Sequence, residues 1–381
     1  MGEAYTAGLQ VREVVVVRRR RVLPVPGEVL VRVGDMVTPE TVVARANLVG
    51  LFQTINVIRD LGIPLGDVEE AIKKGWFKVK VGDAVREGDI IASRRYLFGR
   101  KKKESISPMS GTIEYISKVT GKVHIRGPPI PVELKAYIPG KVVEVLPSEG
   151  VVIETLATFI QGIFGIGGQT HGELSVVVDS PEEVLAEDKI VPDKHAGKIL
   201  VGGSLVTGKA LQKASKASVR GIIVGGVEDE DLTIFLGYEV GVAITGEEDI
   251  KPTLIITEGF GKMRMLKLTF DLLKKSEGKE ASIDGKTHIR AGVIRPEIII
   301  PLESEKDYTA LKSETIVSRL ELGSRVRIIR GRDFGVFGKV IGLMTTPKEI
   351  ETESKTVIIE VLLEDGRRLI IPRANVEIIG G

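Results

Sequence analysis

Over the first 150 residues, apolar and polar positions alternate in short stretches, the period of half-buried strands. Two stretches are copies of one pattern. Pro26–Ala44 (PGEVLVRVGDMVTPETVVA) and Phe77–Ala92 (FKVKVGDAVREGDIIA) both carry V-x-V-G-D-x-V, then a turn, then an apolar strand ending in alanine. The Gly-Asp pair suits a tight turn, because glycine tolerates positive φ and aspartate bonds its own backbone. Ser107–Ile116 and Ala136–Ile153 add further strands. Between the copies, Leu51–Gly75 changes to helical spacing, breaks at Gly62-Ile63-Pro64 and restarts at Asp67. From Lys198 the pattern changes again. KILVGG, RGIIVGG, VGVAIT and TLIITEGFG read as strands, and TGKALQKASKAS, DEDLTIFLG and MLKLTFDLLKKSEG as helices between them, which predicts a layered α/β unit. Arg325–Lys339 and Asp365–Ile379 return to strands separated by glycine turns and an Asp-Gly hairpin.

This pattern predicts a multidomain β and α/β protein. Residues 1–157 form a β-domain with a helical insertion at about 50–75, and 158–303 a central α/β domain. Polar residues 304–321 are a linker, and 322–381 a small β-barrel. Trp76, the only tryptophan, falls at a seam where packing is its ordinary role.

Composition narrows the chemistry. The absence of cysteine among 381 residues excludes disulfides, thiolate metal sites and thiol catalysis. The four histidines, His124, His171, His195 and His288, have no ligand spacing, so no metal is expected. No cofactor is expected either. The N-terminus has no signal-like apolar segment and no run is long enough to span a membrane, which points to a cytoplasmic chain with no membrane contact. Heavy use of Ile, Val, Lys and Glu is compatible with a thermophile. The net charge of +2 is uneven: residues 1–135 hold 23 Lys+Arg and 15 Asp+Glu, a balance of +8, leaving −6 for the rest.

Two basic runs, Arg18-Arg19-Arg20-Arg21 and Arg100-Lys101-Lys102-Lys103, are candidate contacts to phosphate or to an acidic protein surface. They equally suit solvated loops or a protected edge strand. Gly203–Ala210 (GSLVTGKA) comes close to a phosphate loop, but Ala210 stands where a hydroxyl must hold magnesium. That argues against nucleotide hydrolysis and leaves two readings: anion binding at Gly203 and Lys209, or the start of an amphipathic helix. Phe159–Glu173 is glycine-dense and suits either a ligand cradle or close backbone packing. Asp284, His288, Arg290, Arg295 and Glu297, with Glu258, form a second polar set able to bind a ligand or do acid–base work, or simply to pair across strands.

The C-terminal residues RVRIIRGRDFGVFGK and DGRRLIIPRANVEII resemble a KOW module, the SH3-like barrel of the NusG transcription-factor family and of several ribosomal proteins. The resemblance implies contact with RNA, the ribosome or RNA polymerase. It places that contact at Arg330, Arg332, Asp333 and Phe334, with Arg325, Arg327 and Lys339 around them. The two V-G-D stretches, with SPMSGTIEYI, resemble the barrel-sandwich hybrid of biotinyl and lipoyl domains. The segment matching the carrier hairpin, RRYLFGRKKKES, lacks the modified-lysine signature, which implies a structural or docking module. The expected function is therefore non-enzymatic: a binding or scaffold protein of the transcription or translation machinery, with protein partners. The alternatives are a self-assembling homo-oligomer or filament, and a ligand-binding or enzymatic α/β module.

Overall fold

The computed structural model describes residues 9–96, 101–237, 250–287, 294–302 and 320–378, less 329–332, 334–335, 344–347, 350–354, 357 and 364–365. It is a mostly β protein with a mixed α/β centre.

Strand β1 (Val11–Val22) and strand β2 (Val42–Leu48) begin the N-terminal unit. After β2 the chain leaves to build a second, nested module. It contains β3 (Phe52–Asn56), α1 (Val57–Leu61), α2 (Val68–Lys73), the hairpin β4 (Ile90–Tyr96) and β5 (Lys101–Ile106), then β6 (Gly111–Ile116) and β7 (Lys122–Arg126). The chain returns as β8 (Ile130–Lys135), whose Ile130 pairs with Leu48 of β2. The nested module has its own core. Val57, Ile58, Leu61, Val68 and Ala71 of the helical stretch pack with Val85, Ile91, Ile113, Val123 and Ile125 of the strands. The helices thus close the end of this module, and Trp76 packs against the same core with Arg94 over its ring.

The repeated Gly-Asp turns have one geometry. Asp35 accepts from the Arg32 amide and Asp83 from the Lys80 amide, at 2.8 and 2.7 Å. The glycine amide of each turn is anchored across the module: Gly34 to the Val142 carbonyl, Gly82 to the Ile113 carbonyl. Arg86–Asp89 repeats the same turn a third time, with Gly88 bonded to the Ser107 carbonyl.

Strand β9 (Gly140–Leu146) leads into β10 (Gly150–Gln161), whose GVVIETLATFIQ is rich in β-branched residues and almost wholly buried. One edge of β10 carries β1 over nearly its full length. The other carries β9 on its first half and β17 (below) on its second. A boundary near residue 157 therefore falls inside a strand that both units share, and no linker separates them.

The α/β unit continues with β11 (Phe164–Ile166), β12 (Gln169–Val176), β13 (Ile199–Val201), α3 (Gly208–Lys216), β14 (Gly221–Val227), α4 (Asp229–Leu236), β15 (Thr253–Phe260), α5 (Lys267–Lys275), β16 (Glu280–Asp284) and β17 (Glu297–Pro301). Strands β12, β13, β14 and β15 are parallel neighbours, with β11 and β16 antiparallel at either side. Alternation sorts the apolar residues between two layers. Ile199, Val201, Ile223 and Ile255 meet Phe270 and Leu273 of α5, while Leu200, Ile222, Val224 and Leu254 meet Leu211 and Ala214 of α3 and Leu232 of α4. Burial on both faces explains why these strands read as unbroken apolar runs. The expected strand VGVAIT lies outside the described residues, as does most of the expected linker.

The C-terminal unit is an antiparallel sheet of β18 (Arg325–Ile328), β19 (Phe337–Leu343), β20 (Ile358–Leu363), β21 (Arg368–Pro372) and β22 (Val376–Ile378), in the order β21-β20-β19-β18-β22. Val326, Ile328, Val340, Ile359 and Val361 form its core.

Candidate functional site

In parallel α/β sheets, ligands favour the crevice at the carboxyl ends of the strands. Here that crevice is filled by the chain itself. The Ser204 amide bonds to the Glu183 carbonyl, Met263 to Ser204, and Gly261 to Val227, which lays two segments across the strand ends. A Cβ on Gly203 would stand 2.3 Å from the Glu183 oxygen, and one on Gly226 2.0 Å from the Gly261 oxygen. These glycines exist for close backbone packing. The amino end of α3 is equally occupied: Asp231 accepts from the Gly208 amide at 2.7 Å and Thr207 from the Ala210 amide. A carboxylate already sits where a phosphate would have to dock. The expectation of an anion site at Gly203 and Lys209 is corrected accordingly. The glycine-dense stretch is also packed: a Cβ on Gly165 would stand 2.6 Å from the Gly285 oxygen.

The C-terminal set divides. Arg325 and Lys339 are exposed cross-strand partners. Asp333 is half-buried and bridged by Arg367 at 2.9 Å. Arg330, Arg332 and Phe334 lie outside the described residues. Arg327 is the correction: it is 4% exposed, and its guanidinium donates to Glu258, itself 5% exposed. The other oxygen of Glu258 accepts from the Leu266 amide. Arg327 therefore joins the C-terminal unit to the α/β unit and is not available to RNA. Glu258 is taken up in the same contact and does not belong with Asp284.

Of the arginine run, Arg18 pairs with Glu154, Arg19 with Glu297 and Arg20 with Glu149, all across β1 or its neighbours. They serve an edge strand. Lys101, Lys102 and Lys103 are exposed on the nested module's hairpin, and Arg100 lies outside the described residues.

The polar residues that do converge sit where the N-terminal unit meets the amino edge of the α/β sheet. Glu297 accepts from Arg19 and from the Tyr137 hydroxyl, 3.3 Å away. Burial first, then Glu297 and Asp284, push the Tyr137 phenol well above its ordinary value. Asp284 accepts from Gln169 at 2.9 Å. His171 Nε2 lies 2.6 Å from Glu40, which Lys135 also engages. Lys135 first and then His171 hold the Glu40 carboxyl down to about 2. Beside this network opens a cleft of about 450 Å³ lined by Arg21, Glu40, Lys135, Tyr137, Gln169, His171 and Arg220. Asp284 and Glu297 thus come together at the junction. Arg295 is half-buried, and His288 and Arg290 lie outside the described residues.

One surface has no counterpart among the residues singled out from sequence. On the outer face of the sheet β3-β7-β6, Phe52, His124 and Tyr115 form a row with ring centroids 5.1 and 5.6 Å apart. The Arg126 guanidinium lies 4.9 Å from the Phe52 ring. Phe52 and Tyr115 are 50% and 55% exposed. The inward residues of the same strands, Ile55, Val123, Ile125 and Ile113, are core. The signal was present as single aromatics at outward positions of strands 63 residues apart, 115 − 52, and only strand pairing assembles them.

Compared with known proteins, the chain matches no family model and no curated protein matches it.

Proposed function

We propose that this chain is a non-enzymatic, RNA-binding scaffold protein of the gene-expression machinery. The row Phe52–His124–Tyr115, with Arg126 held against Phe52 by Glu114, carries the reading. Exposed aromatics side by side on a sheet are a stacking platform, and every base offers a π-face to them. The charge agrees. The nested module, residues 49–129, holds 15 Lys+Arg against 9 Asp+Glu, so 15 − 9 = +6 of a chain total of +2. Lys118 and Lys122 flank the row and Lys101–Lys103 lie on the same module, all exposed. The occupant is single-stranded RNA, whose backbone is drawn to this charge while its bases stack. In this reading the N-terminal modules are carrier-type barrel-sandwich hybrids reused for docking. The C-terminal sheet is a KOW-like barrel offering Arg325 and Lys339 as a second contact. Its five-strand antiparallel order supports that assignment.

The test is fluorescence anisotropy of a labelled single-stranded RNA against the full chain. Affinity falls steeply with added salt, and Phe52→Ala with Tyr115→Ala weakens it at least tenfold, since each stacked base is worth about 1–3 kcal/mol. Truncation after Arg319 weakens it further. Unchanged affinity in the double variant overturns the platform. Self-association removed by the same substitutions, with no RNA bound, would assign the face to a second copy of the chain.

A further inference from the structure

The cleft at the junction of the N-terminal and α/β units adjoins a second cavity. The first measures about 450 Å³ and the second about 440 Å³; Gln169, Thr170 and Arg220 line both. Each is within the range of small-molecule sites. The combined wall carries four cations, Arg21, Lys135, Arg220 and Lys251, against two carboxylates, Glu40 and Glu133. Uncharged donors, among them Thr170, Ser215 and Ser218, complete it.

Many arginines elsewhere in the chain are paired with carboxylates, among them Arg18, Arg19, Arg20, Arg45, Arg126 and Arg264. In the cleft, Arg21 donates to the Lys135 carbonyl and stacks on Tyr137, and Arg220 donates to the His171 carbonyl. Those bonds fix the two side chains and leave their charge uncompensated by contact. Among the described residues no carboxylate lies within ion-pair distance of Arg21, Arg220 or Lys251. Asp284 and Glu297 act on Arg21 from further away, but they are engaged by Gln169 and Arg19. Glu40 is itself paired with Lys135 and bonded to His171. A held guanidinium with free N–H groups, in a concave wall of net positive charge, is suited to a planar or tetrahedral oxyanion.

We propose that this cleft binds a small molecule bearing a phosphate or diphosphate group, with Arg220 at the waist between the two cavities and Arg21 and Lys251 on either side. The site is independent of the RNA platform, sharing no residue with it. It lies at the amino edge of the parallel strands, opposite the blocked carboxyl ends.

Titration calorimetry of the full chain with inorganic pyrophosphate, at constant ionic strength and without RNA, tests it. Saturable binding is expected, with an accompanying rise in thermal midpoint. Arg220→Ala and Lys251→Ala, both exposed positions, each weaken it at least tenfold. Lys262→Ala, an exposed charge-matched control at the opposite end of the sheet, keeps the original affinity. No saturable heat overturns the proposal. So does equal affinity in Arg220→Ala and the parent chain, or an equal loss in Lys262→Ala, which would show only general electrostatic attraction.

Discussion

Arg327 shows why single residues resist reading from sequence. Strand β18 places Val326 and Ile328 in the core of its own sheet, so alternation turns Arg327 to the opposite face. On an isolated sheet that face would meet water. Here it meets Glu258, and the pair is almost fully buried. Half of this was legible: a lone carboxylate in the apolar run TLIITEGF must be partnered once buried. Its partner lies 69 residues away, a separation no local pattern reveals. Removing one member leaves a buried charge uncompensated. Arg327→Met and Glu258→Gln singly are expected to destabilise by about 3–5 kcal/mol, and the double variant by much less. Denaturant unfolding in a double-mutant cycle measures it; additive losses would contradict the pairing. Glu40 gives a pH signature. Its folded value, about 2, lies below the usual 4.5, so its contribution is present above the usual value and lost as pH falls towards the folded one. The side chain is 56% exposed, which limits the effect to below about 1 kcal/mol. Glu40→Gln should therefore lower the thermal midpoint at neutral pH and leave it unchanged near the folded value. A difference that persists in acid would refute this origin.

At the scale of elements, the V-G-D repeat was readable because its turn is local: the Asp side chain accepts from the amide three residues back, and the Asp amide donates to that same residue's carbonyl. Its meaning was not. The copies belong to two modules, one inserted into the other, rather than to one β-domain with a helical insertion. The insertion leaves and returns through adjacent ladder positions, Leu48 opposite Ile130. Replacing residues 49–129 by a short glycine-containing turn should convert β2 and β8 into a hairpin and leave the remaining units folded. Far-UV circular dichroism with a single cooperative melt is the expected result. An unfolded product would mean that the nested module is needed to hold the N-terminal unit together. The parallel strands were legible as well, since burial on both faces leaves continuous apolar runs. The closure of their carboxyl ends was not, because the blocking segments come from distant loops.

At the scale of the molecule, strand β10 and the Arg327–Glu258 contact join what composition divides. The outer N-terminal unit and the α/β unit share a sheet, and the C-terminal unit is tied to it through a buried ion pair. Ligand and RNA would then meet one connected body at two separate places. The charge asymmetry already pointed to the N-terminal third as the basic part. Folding concentrates it: Arg18, Arg19 and Arg20 are paired with carboxylates, while the nested module keeps +6, from 15 − 9.

The sequence by itself determined the periodicities, hence the strands, helices and turns, because these depend on neighbours within a few residues. It also determined the absence of thiol chemistry and the uneven charge. Tertiary structure alone decided which glycines are packing points, which arginines are buried or neutralised, and which aromatics stand in a row. Each of those depends on what another part of the chain presents opposite, and that is set by strand register and by the packing of one unit on another.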